Sequence, residues 1–234
     1  MNTELKKLVV LTGSGISAES GLRTFREMGG LWEQYDVHEV ASPEGWANNM
    51  ELVCRFYNER RKQLLEASPN PGHKALAELE KYYDVEIITQ NVDDLHERAG
   101  STRVLHLHGE LMKSRSTGDP SRVYQLESWE LNPGDKCELG YQLRPHVVWF
   151  GEPVPLLGTA IQITNEADIF AVIGTSLAVY PAAGLLAYVR EDTPIFIIDP
   201  NDVPLPPYGN IKFIKEKASV GIPILKQILL EKYH

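Results

Sequence analysis

The stretch "LVVLTGSGISAESGLRTFR" at residues 8–26 carries an apolar strand directly into a glycine-rich turn. Gly13, Gly15 and Ala18 fit the pattern G-x-G-x-x-G/A, in which a tight turn and a helix N-terminus receive the pyrophosphate of a dinucleotide. A dehydrogenase of this kind carries an acidic residue at the end of a second strand about 20 residues later. The window "GGLWEQYDVHEV" at residues 29–40 contains acidic residues but no compact apolar strand. The stretch therefore predicts a dinucleotide site and argues against a dehydrogenase.

Seven apolar runs and the segments between them indicate the fold. Most of the runs are rich in β-branched residues and apolar at successive positions, as in strands that are covered on both faces. The runs span residues 6–12, 85–91, 103–109, 145–151, 169–176, 193–200 and 210–216, and helix-like segments span residues 43–67, 71–82, 93–99, 156–165, 181–190 and 219–233. This alternation predicts an α/β fold with a doubly wound, Rossmann-like parallel sheet.

Two segments depart from the alternation of strands and helices. Residues 28–70 are helical without a strand, and residues 111–143 are polar and interrupted by glycine and proline. Long irregular insertions in a compact domain are usually functional or mobile, so we expect a small inserted lobe over the sheet. The predicted division is a dinucleotide-binding domain of residues 1–27, 84–110 and 144–234, a helical insertion at 28–83 and a lobe at 111–143.

Composition and charge limit the classes of function. The 234 residues are 43% hydrophobic and carry a net charge of −9, so we expect a soluble protein that binds neither nucleic acid nor an anionic membrane. No run approaches the roughly 18 apolar residues of a membrane span. The two cysteines, Cys54 and Cys137, are too few for a disulfide scaffold and favour a cytoplasmic location. The oligomeric state stays open.

Polar clusters follow five of the predicted strands. Open α/β sheets bind their ligands at the carboxyl ends of the strands, so the clusters predict a shared crevice. They include "GSGISAESGLRTFR", "TQNVDDLHERAG", "LHGEL", "RPHVVWFGE" and "GTSLAVYPAAG", in this order along the chain. Over residues 8–184 these motifs closely resemble those of the sirtuins, the NAD-consuming protein-lysine deacylases. The resemblance implies that NAD is a co-substrate and not a redox carrier.

By this resemblance, three groups of residues bind NAD. They are Gly13, Ser14, Gly15, Ser17, Ala18, Phe25 and Arg26 in the first loop, Gln90, Asn91 and Asp93 in the second loop, and Gly174, Thr175, Ser176, Asp199, Asn201 and Ala218 toward the adenosine. At Asp199, sirtuins more often carry asparagine. From the residues alone, the first loop could also be a plain strand–turn–helix junction, and Asp93 could simply cap a helix.

The catalytic residues that the resemblance implies are His108, Asn91 and Asp93. His106 and His108 lie on the same side of a predicted strand, and from the residues alone either could be a buried, hydrogen-bonded histidine. His108 precedes Gly109 and matches the sirtuin catalytic histidine, whereas His106 is expected to be structural. In the implied reaction, the acyl-lysine carbonyl oxygen displaces nicotinamide from the ribose. His108 then helps a ribose hydroxyl to attack the imidate, and water releases lysine and O-acyl-ADP-ribose.

The resemblance also implies an acyl-lysine protein or peptide as partner. The matching substrate positions are Ala41, Tyr57, Arg60, Val148, Phe150, Gly151 and Glu152. The stretch "VVWFGE" (147–152) is expected to offer a peptide an extended edge. Tyr57 and Arg60 share one helix face, and their spacing alone favours an amphipathic helix with Arg60, Arg61 and Lys62 in solvent. The pair nevertheless matches the class III sirtuins, which remove succinyl and malonyl groups, and Ala41 matches the small residue that widens their acyl pocket.

The predicted lobe departs from the sirtuin pattern. Sirtuins usually carry two C-x-x-C pairs there that hold a structural zinc, and a tetrahedral zinc site needs four ligands. Residues 109–143 contain one cysteine, Cys137, and no histidine, and Ser116 stands about where another cysteine would be expected. We therefore expect a degenerate zinc-ribbon-like lobe without zinc, either partly mobile or held by packing of residues such as Tyr124, Leu126, Trp129, Leu131 and Leu143. Arg23 also replaces a proline that is common in the first loop.

Taken together, these features predict an NAD-dependent protein-lysine deacylase that favours succinyl- and malonyl-lysine and also accepts acetyl-lysine. A mono-ADP-ribosyltransferase that uses the same cleavage of NAD stays open. A non-catalytic sensor of NAD or ADP-ribose also stays open, although the presence of Asn91, Asp93 and His108 argues against a dead site. A dehydrogenase is the least favoured class.

Overall fold

The computed structural model describes residues 5–22, 35–177, 180–203 and 210–233. Its strands are β1 (Lys7–Thr12), β2 (Asp84–Thr89), β3 (Val104–His106), β4 (Gly109–Ser116), β5 (Val123–Gln125), β6 (Leu143–Val147), β7 (Ile169–Ile173), β8 (Ile195–Ile198) and β9 (Ile211–Ile214). Its helices are α1 (Gly15–Ala18), α2 (Val37–Val40), α3 (Pro43–Asn48), α4 (Met50–Glu66), α5 (Pro71–Leu79), α6 (Leu95–Arg98), α7 (Leu157–Asn165) and α8 (Ala218–Lys232), with a 3₁₀ helix at Ala182–Tyr188.

Six of the strands form one parallel sheet in the order β3-β2-β1-β7-β8-β9. The order reverses between β1 and β7, and ligands of open α/β sheets bind at such a switch point, beyond the carboxyl ends of the strands. The remaining strands form a separate three-stranded antiparallel sheet in the order β5-β4-β6. The α/β fold with a doubly wound, Rossmann-like sheet and a small inserted lobe is therefore confirmed.

Helices cover both faces of the parallel sheet. In β1, Leu8 and Val10 share an apolar cluster with side chains of α5 and α8. The alternate residues Val9 and Leu11 belong to a second cluster with α7 and the 3₁₀ helix. All four side chains are fully buried, which stabilises the strand by roughly 1.5–3 kcal/mol for each of them. The continuous apolar run in the sequence thus reflects a strand with no exposed face.

Asn70 connects the start of α5 to the first loop. Its Oδ1 accepts the backbone N–H of Gly72 at 2.9 Å, the capping interaction that asparagine supplies at a helix N-terminus. Its Nδ2 donates to the carbonyl of Ile16 at 2.7 Å and to Ser20 Oγ at 3.0 Å. The cap of one helix therefore also fixes the short helix α1 that follows β1.

The apolar run at 103–109 is divided between the two sheets. Strand β3 ends at His106, and β4 begins at Gly109 in the other sheet. Gly109 has a φ of +81°, and a Cβ there would collide with the carbonyl oxygen of His146 on β6. Glycine is required because the two backbones come this close. His108 therefore lies in the turn between the sheets, not inside a strand.

The apolar run at 145–151 joins the small sheet and not the parallel one. Strand β6 pairs antiparallel with β4, for example between Arg144 and Arg115. The chain then leaves the sheet in a turn in which the N–H of Glu152 donates to the carbonyl of Trp149 at 3.0 Å. A short apolar run shows that a strand is buried, but it does not show which sheet the strand joins. The division of the chain into domains stays a prediction.

The helical insertion contains two helices where one was predicted at 43–67. Asn49 lies between α3 and α4 and accepts the N–H of Leu52 on its Oδ1 at 3.0 Å. An asparagine that competes for backbone N–H groups favours such a new helix start. The segment predicted as a helix at 181–190 is a 3₁₀ helix. Among the helices described, none is long and apolar enough to cross a membrane.

Both packing and polar contacts are found in the small lobe. Of the five apolar residues named above, Leu131 is buried and the other four are half-buried. Ser116 Oγ lies 3.4 Å from Cys137 Sγ and accepts the N–H of Asp119 at 3.2 Å. Arg122 pairs with the carboxylates of both Asp119 and Glu138. These hydrogen bonds and exposed ion pairs lie around one thiol and add to the packing of Leu131.

The side chains of this lobe do not offer the ligands that a zinc ion needs. A structural zinc site needs four nitrogen, sulfur or carboxylate ligands, whereas Cys137 faces a serine hydroxyl. Across the described ranges, no group of three His, Cys, Asp or Glu side chains is placed to hold a metal.

Candidate active site

A cleft of about 670 Å³ opens at the carboxyl ends of the parallel strands, beside the small sheet. Predicted site residues that line it are Gly13, Ser14, Gly15, Ala18, Ala41, Tyr57, Arg60, Gln90, Asn91, His108, Val148, Phe150, Gly151, Glu152, Gly174, Thr175, Ser176, Asp199 and Asn201. Ser17, Asp93 and Ala218 are buried and are not part of its surface. Phe25, Arg26 and Arg23 lie outside the described residues. The cleft therefore joins the first loop to the helical insertion.

The loops that follow β1 and β7 interlock through glycines. The N–H of Gly15 donates to the carbonyl of Gly174 at 2.9 Å. A Cβ on Gly15 would lie 2.7 Å from the Cα of Gly174, and a Cβ on Gly174 would lie 2.5 Å from the nitrogen of Ile16. Gly174 also has a φ of +60°, which side chains disfavour. The contact between the loops requires these glycines, a role that the G-x-G-x-x-A pattern did not predict.

Asn91 ties the second loop to the first. Its Nδ2 donates to the carbonyl of Gly13 at 3.1 Å and to Ser17 Oγ at 3.3 Å. Ser17 in turn donates to Asp93 Oδ2 at 3.0 Å, while Asp93 Oδ1 accepts the N–H of Leu95. Burial raises the pKa of Asp93, although these hydrogen bonds oppose the shift. Asp93 thus lies one residue before the N-cap Asp94, accepts the backbone N–H of the first residue of α6, and also holds a residue of the first loop.

His108 is positioned as a neutral imidazole with one basic nitrogen. Its Nδ1 lies 3.0 Å from the carbonyl oxygen of Gln90, so Nδ1 carries the proton and Nε2 keeps a lone pair. Burial lowers the pKa of His108, and the contact with Gln90 opposes this shift only in part. The ring therefore lies in the cleft wall, ready to accept a proton near pH 7.

The adenosine residues predicted from the sequence line the cleft, except for Ala218, which is buried. Gln90 Nε2 donates to Thr175 Oγ1 at 3.2 Å, which joins the loops after β2 and β7. Asp199, at the end of β8, accepts the N–H of Asn201 at 2.9 Å. Ala218 begins α8, and its neighbour Lys217 lines the cleft. This end offers hydroxyl, amide and carboxylate groups that can bind the hydroxyls of a ribose.

The other end of the cleft is formed by α4 and the turn after β6. Tyr57 is buried, and its hydroxyl accepts from Trp149 Nε1 at 2.9 Å. Burial raises the pKa of Tyr57 to about 12, so the phenol keeps its proton. Burial also lowers the pKa of Arg60, which remains a cation because guanidinium groups do not lose their proton in proteins. Ala41 lies in the same apolar cluster as Tyr57 and Trp149.

The turn after β6 is fixed from behind by Glu152. This carboxylate pairs with Arg144 and Arg115 and accepts the N–H of Trp149 at 2.8 Å. The guanidinium of Arg144 also stacks on the Trp149 ring at 3.3 Å. The carboxylate is thus engaged with the protein. Sequence reasoning assigned Glu152 to substrate binding and missed Arg144 and Trp149.

Arg61 is the other residue that sequence reasoning misjudged. The amphipathic alternative placed it in solvent beside Arg60 and Lys62, but it is fully buried. It donates to the carbonyls of Trp129 and Leu111 in and beside the small lobe. A single buried arginine among three consecutive basic residues leaves no signal in the sequence.

Comparisons with known proteins show which family this chain belongs to. A family model described as "Sir2 family" matches residues 13–181. An NAD-dependent protein deacylase of Bacteroides thetaiotaomicron is 53% identical over 231 residues, which cover 97% of this chain and 99% of that protein. A protein of the same name from Helicobacter pylori strain 26695 is 55% identical over 229 residues, with 97% and 99% covered.

Solved structures give the same result. The crystal structure of a Sir2 homologue in complex with NAD has a TM-score of 0.87 and 42% identity, and the match covers 97% of this chain and 91% of that one. A Sir2 protein bound to an acetylated peptide has a TM-score of 0.78 and 30% identity, with 97% and 94% covered.

Proposed function

The chain belongs to the Sir2 family, and from that premise we propose that it is an NAD-dependent protein-lysine deacylase that prefers succinyl- and malonyl-lysine and also accepts acetyl-lysine. Relatives named NAD-dependent protein deacylase, which match nearly the whole chain, support the reaction class. NAD is the co-substrate, and a protein or peptide with an acyl-lysine is the other substrate. The observation that carries the proposal is a single cleft that contains His108, Tyr57 and Arg60.

His108 acts as the general base. Its Nδ1–H is held by the carbonyl of Gln90, so Nε2 is the nitrogen that takes a proton from a ribose hydroxyl. The hydroxyl attacks the imidate that forms when the acyl carbonyl oxygen displaces nicotinamide. A base must be neutral to accept this proton, and burial keeps the pKa of His108 below its usual value.

Asn91 and Asp93 position the nicotinamide end of the site. Asn91 binds Gly13 and Ser17 of the first loop, and Ser17 binds Asp93. These contacts hold the two loops at a fixed separation around the dinucleotide. Fixed geometry of this kind supplies much of the rate enhancement when two substrates react in one site.

Tyr57 and Arg60 supply the acyl preference. Because Trp149 donates to the Tyr57 oxygen, the phenol proton is left for an acceptor in the cleft. Arg60 adds a positive charge three residues further along α4. The terminal carboxylate of a succinyl or malonyl group accepts charge-assisted hydrogen bonds from both. An acetyl group ends in a methyl and offers neither residue an acceptor.

The substrate peptide pairs with those backbone groups of the turn after β6 that the protein does not already use for its own hydrogen bonds. The N–H of Val148 already donates to the His108 carbonyl, and the N–H of Phe150 donates to Ala41. Pairing therefore uses carbonyls of this segment and the exposed Phe150 and Gly151. Such backbone contacts give affinity with little sequence preference. Glu152 contributes by fixing the turn.

The test is nicotinamide release with matched succinyl- and acetyl-lysine peptides. The variants are His108→Ala, Arg60→Met and the control Arg55→Met, which removes an exposed arginine from the same helix. We expect His108→Ala to stop steady-state release with both peptides after at most a single turnover, because the imidate left in the site cannot react further without the base. Arg60→Met should lower kcat/KM for the succinyl peptide by about 10- to 150-fold, the loss expected for a charged hydrogen bond, and should leave the acetyl value within about threefold.

The outcomes separate the parts of the proposal. A succinyl kcat/KM in Arg60→Met that equals that of the unmodified chain would refute the role of Arg60 in acyl choice. Equal turnover of both peptides by the unmodified chain would refute the acid-acyl preference, and either result leaves the deacylase. Label from NAD that appears on protein without acyl release would instead indicate a mono-ADP-ribosyltransferase. Binding of ADP-ribose without release from either peptide would indicate a sensor.

A further inference from the structure

His106 lies directly behind the loop that carries Asn91. It ends β3, and its side chain is buried. Its Nδ1 is 3.2 Å from the carbonyl oxygen of Asn91, and its Nε2 is 2.7 Å from Oε1 of Glu97 on α6. The imidazole therefore connects a backbone carbonyl of the second loop to a carboxylate that the deacylase chemistry does not use.

Only the doubly protonated ring can donate to both oxygens. A neutral histidine has one N–H, so its other nitrogen would face an oxygen lone pair. Glu97 holds a proton on Nε2 because a hydrogen bond to a carboxylate is the stronger of the two. When His106 loses a proton, the contact that is lost is therefore the one with the carbonyl of Asn91.

This carbonyl belongs to the residue that joins the two cofactor loops. The side chain of Asn91 donates to Gly13 and to Ser17, and its backbone N–H donates to Thr89 Oγ1 at 3.0 Å. A buried carbonyl that loses its donor tends to move toward another one, because the unpaired state is unfavourable. Movement of the Asn91 backbone would displace the amide that holds Gly13 and Ser17.

The charges around His106 favour its protonated form. Burial opposes the charge, but the hydrogen bond and charge of Glu97, together with Glu110 and the carbonyl of Asn91, outweigh burial and raise the pKa of His106. The titratable groups that act on this pair from the surrounding elements are Glu97 and His96 on α6, Asp93 before that helix, and Glu110 and Lys113 on β4. Burial strongly lowers the pKa of His96, so that ring adds no positive charge near pH 7.

His106 and His108 thus have opposite surroundings although one residue separates them. Among the residues that the structure describes, His108 contacts the carbonyl of Gln90 and no carboxylate, whereas His106 is paired with Glu97. Two titratable groups whose environments separate their protonation ranges are typical of a site that needs one acid form and one base form.

We propose that His106, kept protonated by Glu97, is a positioning residue that fixes the Asn91 loop, and that its deprotonation sets the alkaline limit of activity while His108 sets the acid limit. This inference rests on the proposed deacylase function for its kinetic part. Its structural part, the charge on His106 and the binding of ADP-ribose, does not depend on turnover.

The experiment compares the full chain with Glu97→Gln. The amide keeps a hydrogen-bond acceptor but removes the charge that holds the second proton. Three readouts are taken against pH: the imidazole resonances of His106 by NMR, ADP-ribose affinity by calorimetry, and kcat/KM for NAD from nicotinamide release. Glu51→Gln, which removes an exposed carboxylate from α4, controls for net charge.

In Glu97→Gln we expect the NMR midpoint of His106 to move to lower pH. The alkaline limbs of ADP-ribose affinity and kcat/KM should move by the same number of pH units, while the acid limb stays in place. A wild-type midpoint below 6.5, an alkaline limb that does not follow the midpoint, or an equal loss at every pH would each overturn the proposal. If no turnover is found at all, the NMR and ADP-ribose curves still decide it, and the deacylase proposal fails separately.

Discussion

Replacement of Arg61 by methionine should weaken the fold and leave the choice of acyl group intact. Arg61 Nη2 donates to Asn58 Oδ1 at 2.5 Å, and its Nε and Nη1 donate to the carbonyls of Trp129 and Leu111 at 2.7 and 3.3 Å. Asn58 Oδ1 keeps a second donor, the N–H of Leu131 at 3.0 Å. The substitution therefore deprives two carbonyl oxygens of the Arg61 donor.

The size of the effect follows from these two oxygens. A buried acceptor without a donor costs about 1–3 kcal/mol, so two would cost about 2–6 kcal/mol, and the partial burial of the contact with Trp129 places the cost below the upper end. Removal of the guanidinium from a buried site offsets part of this, because a buried charge carries a desolvation penalty. We expect the free energy of unfolding to fall by about 2–4 kcal/mol. For a slope of about 3 kcal/mol per molar urea, the midpoint moves by about 1 M.

Urea unfolding followed by tryptophan fluorescence measures this shift. Arg55→Met is the matched control, because Arg55 is exposed on the same helix and surface substitutions change stability by about 0.5 kcal/mol or less. The ratio of succinyl to acetyl turnover should equal that of the unmodified chain. A shift in Arg61→Met no larger than the control would show that these buried hydrogen bonds do not support the lobe. A changed acyl ratio would show that the position of Arg60 in the cleft depends on Arg61.

Three further predictions concern the loops, acid stability and the lobe. Gly174→Ala should weaken ADP-ribose binding more than about tenfold, because a Cβ there would lie 2.5 Å from the Ile16 nitrogen at a φ of +60°; wild-type affinity by calorimetry would contradict this. The protein should lose stability as the pH falls from 6.5 to 4, because burial lowers the pKa of His73 to about 4 and the unfolded chain takes up the proton first. Between pH 6.5 and 4, urea unfolding should show a fall in the free energy of unfolding that is about 3 kcal/mol smaller in His73→Gln than in the wild type, while the part due to His96, whose pKa burial also lowers, remains. An equal fall in both proteins would refute the contribution of His73. Excess chelator should leave the Tm within about 2 °C, because Ser116 and Cys137 contact each other directly; a larger fall in scanning calorimetry would reveal a structural metal.

The parallel sheet was predictable because burial on both faces leaves a continuous apolar run. Strands such as Ile169–Ile173 and Ile195–Ile198 lie within the predicted runs, and the helices between them follow from local patterns and caps. The pairing of strands that are distant in the sequence was not predictable in this way. The run at 145–151 has the composition of a core strand, yet its partner is Gly109–Ser116 in the small sheet. The composition of a segment indicates whether it is buried, whereas the strand with which it pairs depends on contacts between distant segments.

The candidate site was predictable where each residue follows a strand and lines a cleft. His108 and Asn91 are of this kind. The residues that support them from behind were not predictable, because their partners lie far away in the sequence. Arg61 reaches a carbonyl 68 residues further along the chain, and Trp149 binds a hydroxyl 92 residues away. No local pattern contains that information.

The contact between Gly15 and Gly174 also limits how this sequence can change. All the near atoms that a new Cβ would meet at either position belong to the backbone of the other loop. Every amino acid carries the same backbone, so a smaller side chain at a second position cannot relieve the collision. In a saturation library, these two positions should show no compensating pairs with side-chain changes elsewhere in the loops. A substitution at Gly15 or Gly174 therefore cannot be compensated by a second side-chain substitution elsewhere in the two loops.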